Sequence, residues 1–585
     1  MNFSGTELRR LYLSLPAHRR KWEELLALSG LTPEQEPDFA VALFDADDNI
    51  IGTASLAADV IKYVAIHPEH RGEAVANTLI SVIIAQAGEQ GVQTLTIFTK
   101  PEYSPLFTSL SFREIATSPA AVMLENTSGE LTRCLDYLKR ERQLAAPEAK
   151  SVGVIVMNAN PLTLGHLHLI KQSAAKVDHL FIIPLAENPS NLFSYDSRCR
   201  ALSAALAHLP NATLLRGSRY CISGITFPSY FLKQIEQRTD THILLDLDLF
   251  GRHVAPALGA TVRFVGSEPT DPLTARYNEL MAATLPAGFG IEVVEIPRLT
   301  DATQQPISAS AVRRHLLGGT LGSALRNLPA ASLPAVMAKA ATLALQAELD
   351  LTPKPGLVDT EGCGAHTDMD HALMSRSIAA LEPVFADIVR ASLSATLPAQ
   401  PTLSRIGLEG EKSMLEATGG VNTHRGALFA LGLTLSAATH LIYIDKPLTP
   451  ASLSATIAEI AATFPRPEGT HGASVTKKFA IPTALDMARA GYADMFNRWM
   501  QEPDLHRRLL LIMSELPDSN LYHRGGVEGR EFVSSEALRL LSATEYTDLL
   551  RELRALDSEC IKRNLSPGGC ADMLALSILC SSLTN

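Results

Sequence analysis

One stretch limits the fold of this chain more than any other: Val152-Gly-Val-Ile-Val-Met-Asn-Ala-Asn-Pro-Leu-Thr-Leu-Gly-His-Leu-His-Leu-Ile170. An apolar run breaks at Asn-Pro and resumes with helical spacing, which predicts strand, tight turn and helix. Val152 to Met157 is short, β-branched and bounded by turn residues, so it suits a strand buried on both faces of a parallel sheet. Pro161 stops the strand, and Gly165 lets the backbone approach a ligand where the next helix begins. Unpaired N–H groups and a partial positive charge make that helix start a seat for phosphate. Thr163 adds a hydroxyl and His166 an imidazole, which can donate to phosphate oxygens as charge builds on a leaving pyrophosphate.

A chain of 585 residues is too long for one core and should hold about three to four domains. Its net charge of −11, with no local Lys/Arg cluster to offset it, excludes a nucleic-acid surface. The N-terminus runs into charge rather than an apolar segment, so no signal peptide is read and a cytoplasmic location is expected. Seven cysteines, at 134, 199, 221, 363, 560, 570 and 580, fit neither a disulfide framework nor zinc spacing. The stretch from Gly426 to Ile444 nears membrane-spanning length but carries Thr434, Ser436, Thr439 and His440, so it reads as a buried core helix and no membrane partner is expected.

Thr163-Leu-Gly-His166 resembles the T/HxGH motif of the nucleotidyltransferase superfamily, in the form found in citrate lyase ligases. Ile307-Ser-Ala-Ser-Ala-Val-Arg313 resembles the ISxTxxR motif that closes the nucleotide site there, with Ser310 where Thr is common. Strand-like runs at His179–Leu185, His242–Leu247, Thr261–Gly266 and Ile291–Ile296 alternate with helical or loop sequence, which predicts a doubly wound α/β domain of HUP type over residues 145–325. Ser223–Lys233, Ala255–Pro269, Thr274–Asn278 and Val294–Arg298 also resemble citrate lyase ligase signatures. That family joins acetate to the prosthetic-group thiol of the citrate lyase acyl carrier subunit, through acetyl-adenylate, releasing AMP and pyrophosphate. The resemblance implies that Asn160, Thr163, Gly165 and His166 hold the triphosphate of ATP, with Ser308, Ser310 and Arg313 gripping it from the other side and Arg198 assisting. Mg²⁺ would arrive on the triphosphate, and Asp246 and Asp248 read as structural residues at a strand end.

Residues 1–140 give a hairpin, Phe39–Phe44 with Ile50–Leu56, then the strand Lys62-Tyr-Val-Ala-Ile-His-Pro, the loop Glu69–Ala74 and an amphipathic run to Gly91. This order resembles the α+β acetyltransferase fold of GNAT type, which citrate lyase ligases also carry ahead of the nucleotidyltransferase domain. In such loops Gln or Arg is usual where Glu69 stands, and a carboxylate beside a pyrophosphate repels it. The segment is expected to serve as a pantetheine or carrier docking module or a structural one, without transferring acetyl from acetyl-CoA.

Past Asn327–Pro334, which reads as a linker, long Ala/Leu-rich stretches with helical spacing predict an all-α domain over residues 330–585. Its polar loops are Pro353–Asp359, Gly364–Met369, Gly419–Gly426, Asp518–Gly526 and Ser566–Asp572. Together they resemble triphosphoribosyl-dephospho-CoA synthases, which move the triphosphoribosyl part of ATP onto the ribose 2′-hydroxyl of dephospho-CoA and release adenine. Breaking that N-glycosidic bond passes through an oxocarbenium-like state, so the site needs carboxylates, a base and cations. Lys354, Arg425 and Arg524 are the phosphate candidates, and His366 and His424 are hydrogen-bond donors. Asp359, Asp368, Glu411, Asp518 and Asp572 are the base and magnesium candidates, with Glu411 and Asp572 assigned to the metal. The family reads GARGEAxxG(F/Y) where this chain has Thr483, Leu485 and Met487 in place of Gly, Arg and Glu. The expectation is a bifunctional enzyme that matures citrate lyase. The alternative keeps only the ligase active, with the C-terminal half degenerate or a carrier-docking module.

Overall fold

A computed structural model describes residues 6–70, 73–186, 190–220, 235–269, 271–466, 475, 477–543 and 546–585. The Ser223–Lys233 signature, Cys221, and Arg71 and Gly72 of the expected coenzyme A loop lie outside the described residues. The chain divides into two compact units. One comprises residues 1–158, 168–190 and 206–299, the other residues 159–167, 191–205 and 300–585.

The first unit carries two sheets. In the seven-stranded sheet the strands are β1 (Glu7–Leu11), β2 (Phe39–Phe44), β3 (Ile50–Ala57), β4 (Val60–Ile66), β5 (Thr96–Thr99), β6 (Phe112–Thr117) and β7 (Val122–Asn126), in spatial order β1-β2-β3-β4-β5-β7-β6. All neighbours are antiparallel except β4 and β5, which pair in parallel only at Val60 with Thr96 and Ile61 with Ile97. The β2–β3 hairpin closes as the sequence predicts, because Asp45 Oδ1 accepts from the N–H groups of Asp47 at 2.9 Å and Asn49 at 2.8 Å. The helix Pro16–Leu28 packs Trp22, Leu25 and Leu26 into the core on one face of this sheet. The helix Glu73–Glu89 sends Leu79, Ile80 and Ile83 into the core on the other.

The second sheet is fully parallel: β8 (Val152–Met157), β9 (His179–Pro184), β10 (Ala212–Leu214), β11 (Val262–Gly266) and β12 (Glu292–Ile296), in order β10-β9-β8-β11-β12. The order reverses between β8 and β11, and in such sheets ligands bind beyond the carboxyl ends of the strands at that reversal. The loop after β8 is the one that bears Thr163 and His166.

One strand expectation fails. His242–Leu247 lies inside the helix Ile235–Leu249, not in the sheet. Leu245 and Leu249, four apart, enter the core that holds Trp22, whereas Ile243, Leu247 and Phe250 enter the core beneath the parallel sheet. A helix buried on two opposite faces shows apolar residues at short intervals, which imitates strand alternation. Asp246 accepts from the Tyr277 hydroxyl, and Asp248 accepts from the Thr117 N–H at 2.7 Å, so both carboxylates serve the structure.

The second unit is helical from residue 309 onward, and a single large core runs through it. Its central helix, Arg425–Tyr443, is the apolar stretch of near-membrane length, and 78% of its most apolar window is buried in protein. Its hydroxyls stay inside because they have partners: Thr434 donates to the Ala430 carbonyl at 3.0 Å, Thr439 to the Leu435 carbonyl at 2.7 Å, and Ser436 meets Ser392 at 2.9 Å. The segment read as a linker is well tied. Ser332 Oγ donates to the Leu162 carbonyl at 2.7 Å, the Leu164 N–H donates to the Asn327 carbonyl at 2.9 Å, and the Ser323 N–H donates to the Asn585 carbonyl at 3.0 Å.

Candidate active sites

In the second unit, residues 159–167, 191–205 and the helix Ala309–Leu317 assemble the first constellation. Thr163 is fully buried and precedes the helix Leu164–Ala174. Its N–H donates to His166 Nδ1 at 3.1 Å, and its Oγ1 lies 2.9 Å from the same nitrogen. A backbone N–H can only donate, so in the neutral ring Nδ1 is the acceptor and Nε2 carries the proton. The threonine therefore fixes the tautomer that leaves the proton on Nε2. Ser308 caps the helix Ala309–Leu317, its Oγ accepting from the Ala311 N–H at 3.1 Å. Arg313 donates to Ser310 Oγ at 3.1 Å and to the Asn160 carbonyl, tying the two motifs together. The Asn160 side chain reaches the other way, donating to Asn191 Oδ1 at 2.9 Å and accepting from the Phe193 N–H at 3.1 Å. Arg198 is 1% exposed and donates from Nε to the Phe193 carbonyl at 3.3 Å, so it is a built-in residue rather than a solvated one.

Gly165 has a reason that sequence reasoning missed. A Cβ there would lie 2.9 Å from the Ile307 carbonyl oxygen, so the glycine lets the first motif's helix pack on the second motif's loop. Gly165→Ala is expected to push the two motifs apart and destabilise by about 1–3 kcal/mol. A thermal melt beside an assay of ATP turnover checks this, and an unchanged midpoint with unchanged turnover would refute it.

The second constellation lines a cavity of about 780 Å³ in the helical unit. Most of the Gly-rich polar stretches read as loops turn out to be helix starts. His424 precedes the helix Arg425–Tyr443, Asp518 the helix Ser519–Ala543, and Asp572 lies in the first turns of Gly568–Thr584. Asp518 is 2% exposed and accepts from the N–H groups of Asn520 at 2.7 Å, Leu521 at 3.4 Å and Cys570 at 2.9 Å. Burial pushes its carboxyl above the ordinary range, against the pull of those N–H groups. Asp572 is pushed well above that range by burial, then by the charges of Asp518 and Glu348, with only the Ala427 N–H opposing. The facing glycine, Gly426, has no room for a Cβ because the Asp572 carboxylate occupies it.

Two histidines in the cavity wall are neutral. His366 is held below its usual pKa by burial and then by Arg524. A guanidinium can only donate, so Arg524 at 3.3 Å makes Nδ1 the acceptor and leaves Nε2–H to donate to Ser566 Oγ at 2.8 Å. His424 is pushed down to about 4, by burial and then by Lys354, and its Nδ1 lies 2.9 Å from Ser377 Oγ.

Other candidates are redirected. Asp359 does not line the cavity: its carboxylate accepts from the N–H groups of Lys354 at 2.9 Å, Glu361 at 2.8 Å and Gly362 at 2.9 Å, which makes it the organiser of its own loop. The Lys354 ammonium is 1% exposed and paired with Glu348, a helix residue that sequence reasoning passed over, so it is not a free phosphate ligand. Glu411 pairs with Arg425 at 2.9 Å, so its carboxylate is already matched by a cation of the protein. Among the described residues, no three His, Cys, Asp or Glu side chains form a preformed metal site. Asp368 lines the cavity with its side chain 60% exposed, 3.7 Å from His366. Arg524 lines it too, while donating to the Ala365 carbonyl at 2.7 Å. Thr483, Leu485 and Met487 all face the cavity, and Thr483 forms a reciprocal cap with Asp486. Where the family pattern places a cation and a carboxylate, this wall is apolar.

Comparison with known proteins separates the chain into two matches. Residues 152–334 match the family described as citrate lyase ligase C-terminal domain, and residues 334–585 match the family described as ATP:dephospho-CoA triphosphoribosyl transferase. The [citrate [pro-3S]-lyase] ligase of Haemophilus influenzae is 39% identical over 300 residues, covering 50% of this chain and 88% of that protein. The probable 2-(5''-triphosphoribosyl)-3'-dephosphocoenzyme-A synthase of Stutzerimonas stutzeri is 36% identical over 281 residues, covering 44% of this chain and 96% of that protein. Among solved structures, pantothenate synthetase from Thermus thermophilus aligns at 16% identity over 36% of this chain and 73% of that one, with a TM-score of 0.22. At these identities and coverages, the chain belongs to two families at once, the citrate lyase ligases through its first half and the triphosphoribosyl-dephospho-CoA synthases through its second.

Proposed function

We propose that this chain matures citrate lyase by two reactions, each run by one of the family halves. In the first, acetate attacks the α-phosphorus of ATP, pyrophosphate leaves, and acetyl-adenylate passes its acetyl group to the prosthetic-group thiol of the acyl carrier subunit, releasing AMP. In the second, the 2′-hydroxyl of dephospho-CoA attacks C1′ of ATP and adenine leaves. Residues 1–140 act as a GNAT-type module, 145–325 as the nucleotidyltransferase of HUP type, and 330–585 as the synthase. The observation that carries the reading is that both families' polar motifs are present over complementary stretches of one chain.

For the ligase, the protein supplies charge and position rather than a nucleophile. His166 Nε2–H and the helix start at Leu164 face the departing pyrophosphate. Arg313 and Ser310 add donors from the second motif, and Mg²⁺ enters with ATP as its counter-ion. For the synthase, two interacting carboxyls with unequal surroundings divide the work. Burial raises both; Asp518, which accepts three N–H groups, is the more readily ionised of the two, stabilises the oxocarbenium-like state and takes the hydroxyl proton. Asp572, with one N–H and two carboxylates near it, keeps its proton and delivers it to the departing adenine. Arg425 and Arg524 meet the triphosphate. The apolar wall at Leu485 and Met487 leaves more of that charge to Mg²⁺ and these two arginines.

The full-length protein tests both reactions. Acetate should drive exchange of labelled pyrophosphate into ATP, and adenine should appear only when ATP, dephospho-CoA and Mg²⁺ are all present. Exchange without adenine release would leave the ligase alone and favour a docking role for the helical half. The N-terminal module, with Glu69 in its loop, is expected to leave the thiol-form carrier unlabelled when given labelled acetyl-CoA without ATP and acetate. Label on the carrier under those conditions would overturn that assignment.

A further inference from the structure

Tyr492 carries two costs at one position. It is 5% exposed, and its hydroxyl has no hydrogen-bond partner among the described residues. Its backbone is left-handed, at φ 50° and ψ 44°, directly after Gly491 at φ 64°. A residue with a Cβ is uncommon in that region, and a buried donor without an acceptor is uncommon anywhere. The turn itself is firmly held. Ser454 Oγ donates to the Gly491 carbonyl at 2.7 Å, a Cβ on Gly491 would strike the Ser454 carbonyl, and the Tyr492 N–H donates to the Met487 carbonyl at 3.1 Å. The fold thus keeps a strained turn whose side chain lines the 780 Å³ cavity and whose polar atom no described residue uses.

A second atom in the same wall shares this condition: His424, 3% exposed, has an Nε2 without a partner among the described residues, while its Nδ1 sits against Ser377. The phenol is neutral, since burial and then nearby Cys580 and Asp572 push its pKa up, so it keeps a proton to donate. The group that suits it is a neutral acceptor on a flat apolar body, because Leu485, Met487 and Phe429 form the adjoining wall. Phosphates are met elsewhere, at Arg425 and Arg524.

We infer that the Tyr492 hydroxyl donates to a ring nitrogen of a purine base seated in this cavity. The inference rests on the synthase reading above for its substrates. The hydroxyl is covered by neighbouring wall atoms, so the bond forms only as the side chains over it shift to admit the base. Both substrates contain adenine, and the chemistry is the same for the base that leaves ATP and the base that stays on dephospho-CoA.

Tyr492→Phe in the full-length protein tests this with free adenine, ATP and dephospho-CoA as separate probes. The melting midpoint should hold or rise, because removing a partnerless hydroxyl breaks no protein bond. Calorimetric binding of free adenine should weaken about tenfold, the usual worth of one such bond. A parallel rise in KM for ATP alone identifies the departing base, and a rise for dephospho-CoA alone identifies the retained one. Unchanged adenine binding with both KM values unchanged would overturn the inference, as would a lowered midpoint with kcat falling and both KM values fixed, which marks a structural role. Acetate-dependent pyrophosphate exchange by the same variant reports that the rest of the chain is intact. Wild-type protein that binds adenine yet never releases it from ATP would defeat the synthase reading and leave this site standing; wild-type protein that binds no adenine would defeat the site.

Discussion

His166→Ala should lower acetate-dependent exchange of pyrophosphate into ATP by about two to three orders of magnitude, the usual cost of one preorganised donor to a developing charge. The effect is large because the imidazole is set up to do one thing. Thr163 occupies Nδ1 with its backbone N–H and holds its hydroxyl within 2.9 Å of the same nitrogen, so the ring's donor is Nε2–H. Alanine removes that donor and leaves the helix start, Arg313 and Ser310 in place, so ATP binding should fall much less than turnover. Thr163→Val should give a smaller loss, by freeing the ring rather than removing it. Exchange at the wild-type rate in His166→Ala would remove the ligase assignment of this loop.

Asp572→Asn should abolish adenine release to within about a thousandth of the wild-type rate, as expected for loss of a general acid whose leaving group is a poor one. It should leave pyrophosphate exchange untouched. Asparagine is close in shape and can still accept from the Ala427 N–H, so the fold is retained. The stability effect has a definite sign. Because the folded-state pKa of Asp572 is raised, its favourable contribution is complete below the unfolded value of about 4 and is lost as pH climbs through the raised one. The variant has no such loss, so its melting midpoint should match or trail the wild type at pH 4 and overtake it steadily toward neutral pH. A midpoint difference that is flat across that range would mean that Asp572 is ionised throughout, and the proton delivered to adenine would need another source.

What could be read from the sequence follows from how local each feature is. The turn from β8 to the helix Leu164–Ala174 is specified within twenty residues, and strand, cap and glycine all lie in order there. The helical half was equally legible in Leu333–Asp350 and Arg425–Tyr443, where spacing alone marks a helix. The helix Ile235–Leu249 was not, because its pattern is set by two cores that it separates, and neither is visible from its own residues. Site residues divide the same way. The Gly-rich polar motifs point to Asp518 and Asp572, which the fold brings to one cavity, but that Asp359 would be spent on its own loop, or Lys354 on Glu348, depends on which groups the fold brings together. Tyr492 was legible only as the aromatic that ends the G(F/Y) pattern, with nothing to say what its hydroxyl meets, and Glu348 carried no signal, being a charge in an apolar helix.

The ties around residues 322–332 bear on how the two activities can be inherited. Ser332 and Asn327 stand between the two catalytic halves in the chain, yet each hydrogen-bonds to the residues flanking Thr163, and Gly322 and Ser323 lie against the last residues of the chain, Leu583 and Asn585. A gene split at codon 326 would strip the phosphate loop of two braces, and one that merely deleted the terminal residues would loosen the junction from the far end. A seam after Ser332 keeps both braces with the Thr163 loop but still cuts across the contacts of Gly322 and Ser323 with Leu583 and Asn585, and the ligase family match ends two residues further on, at 334. These contacts join the short helix Gly322–Leu325 to the helix Gly568–Thr584, so that removing residues 583–585 should weaken both catalysts rather than one.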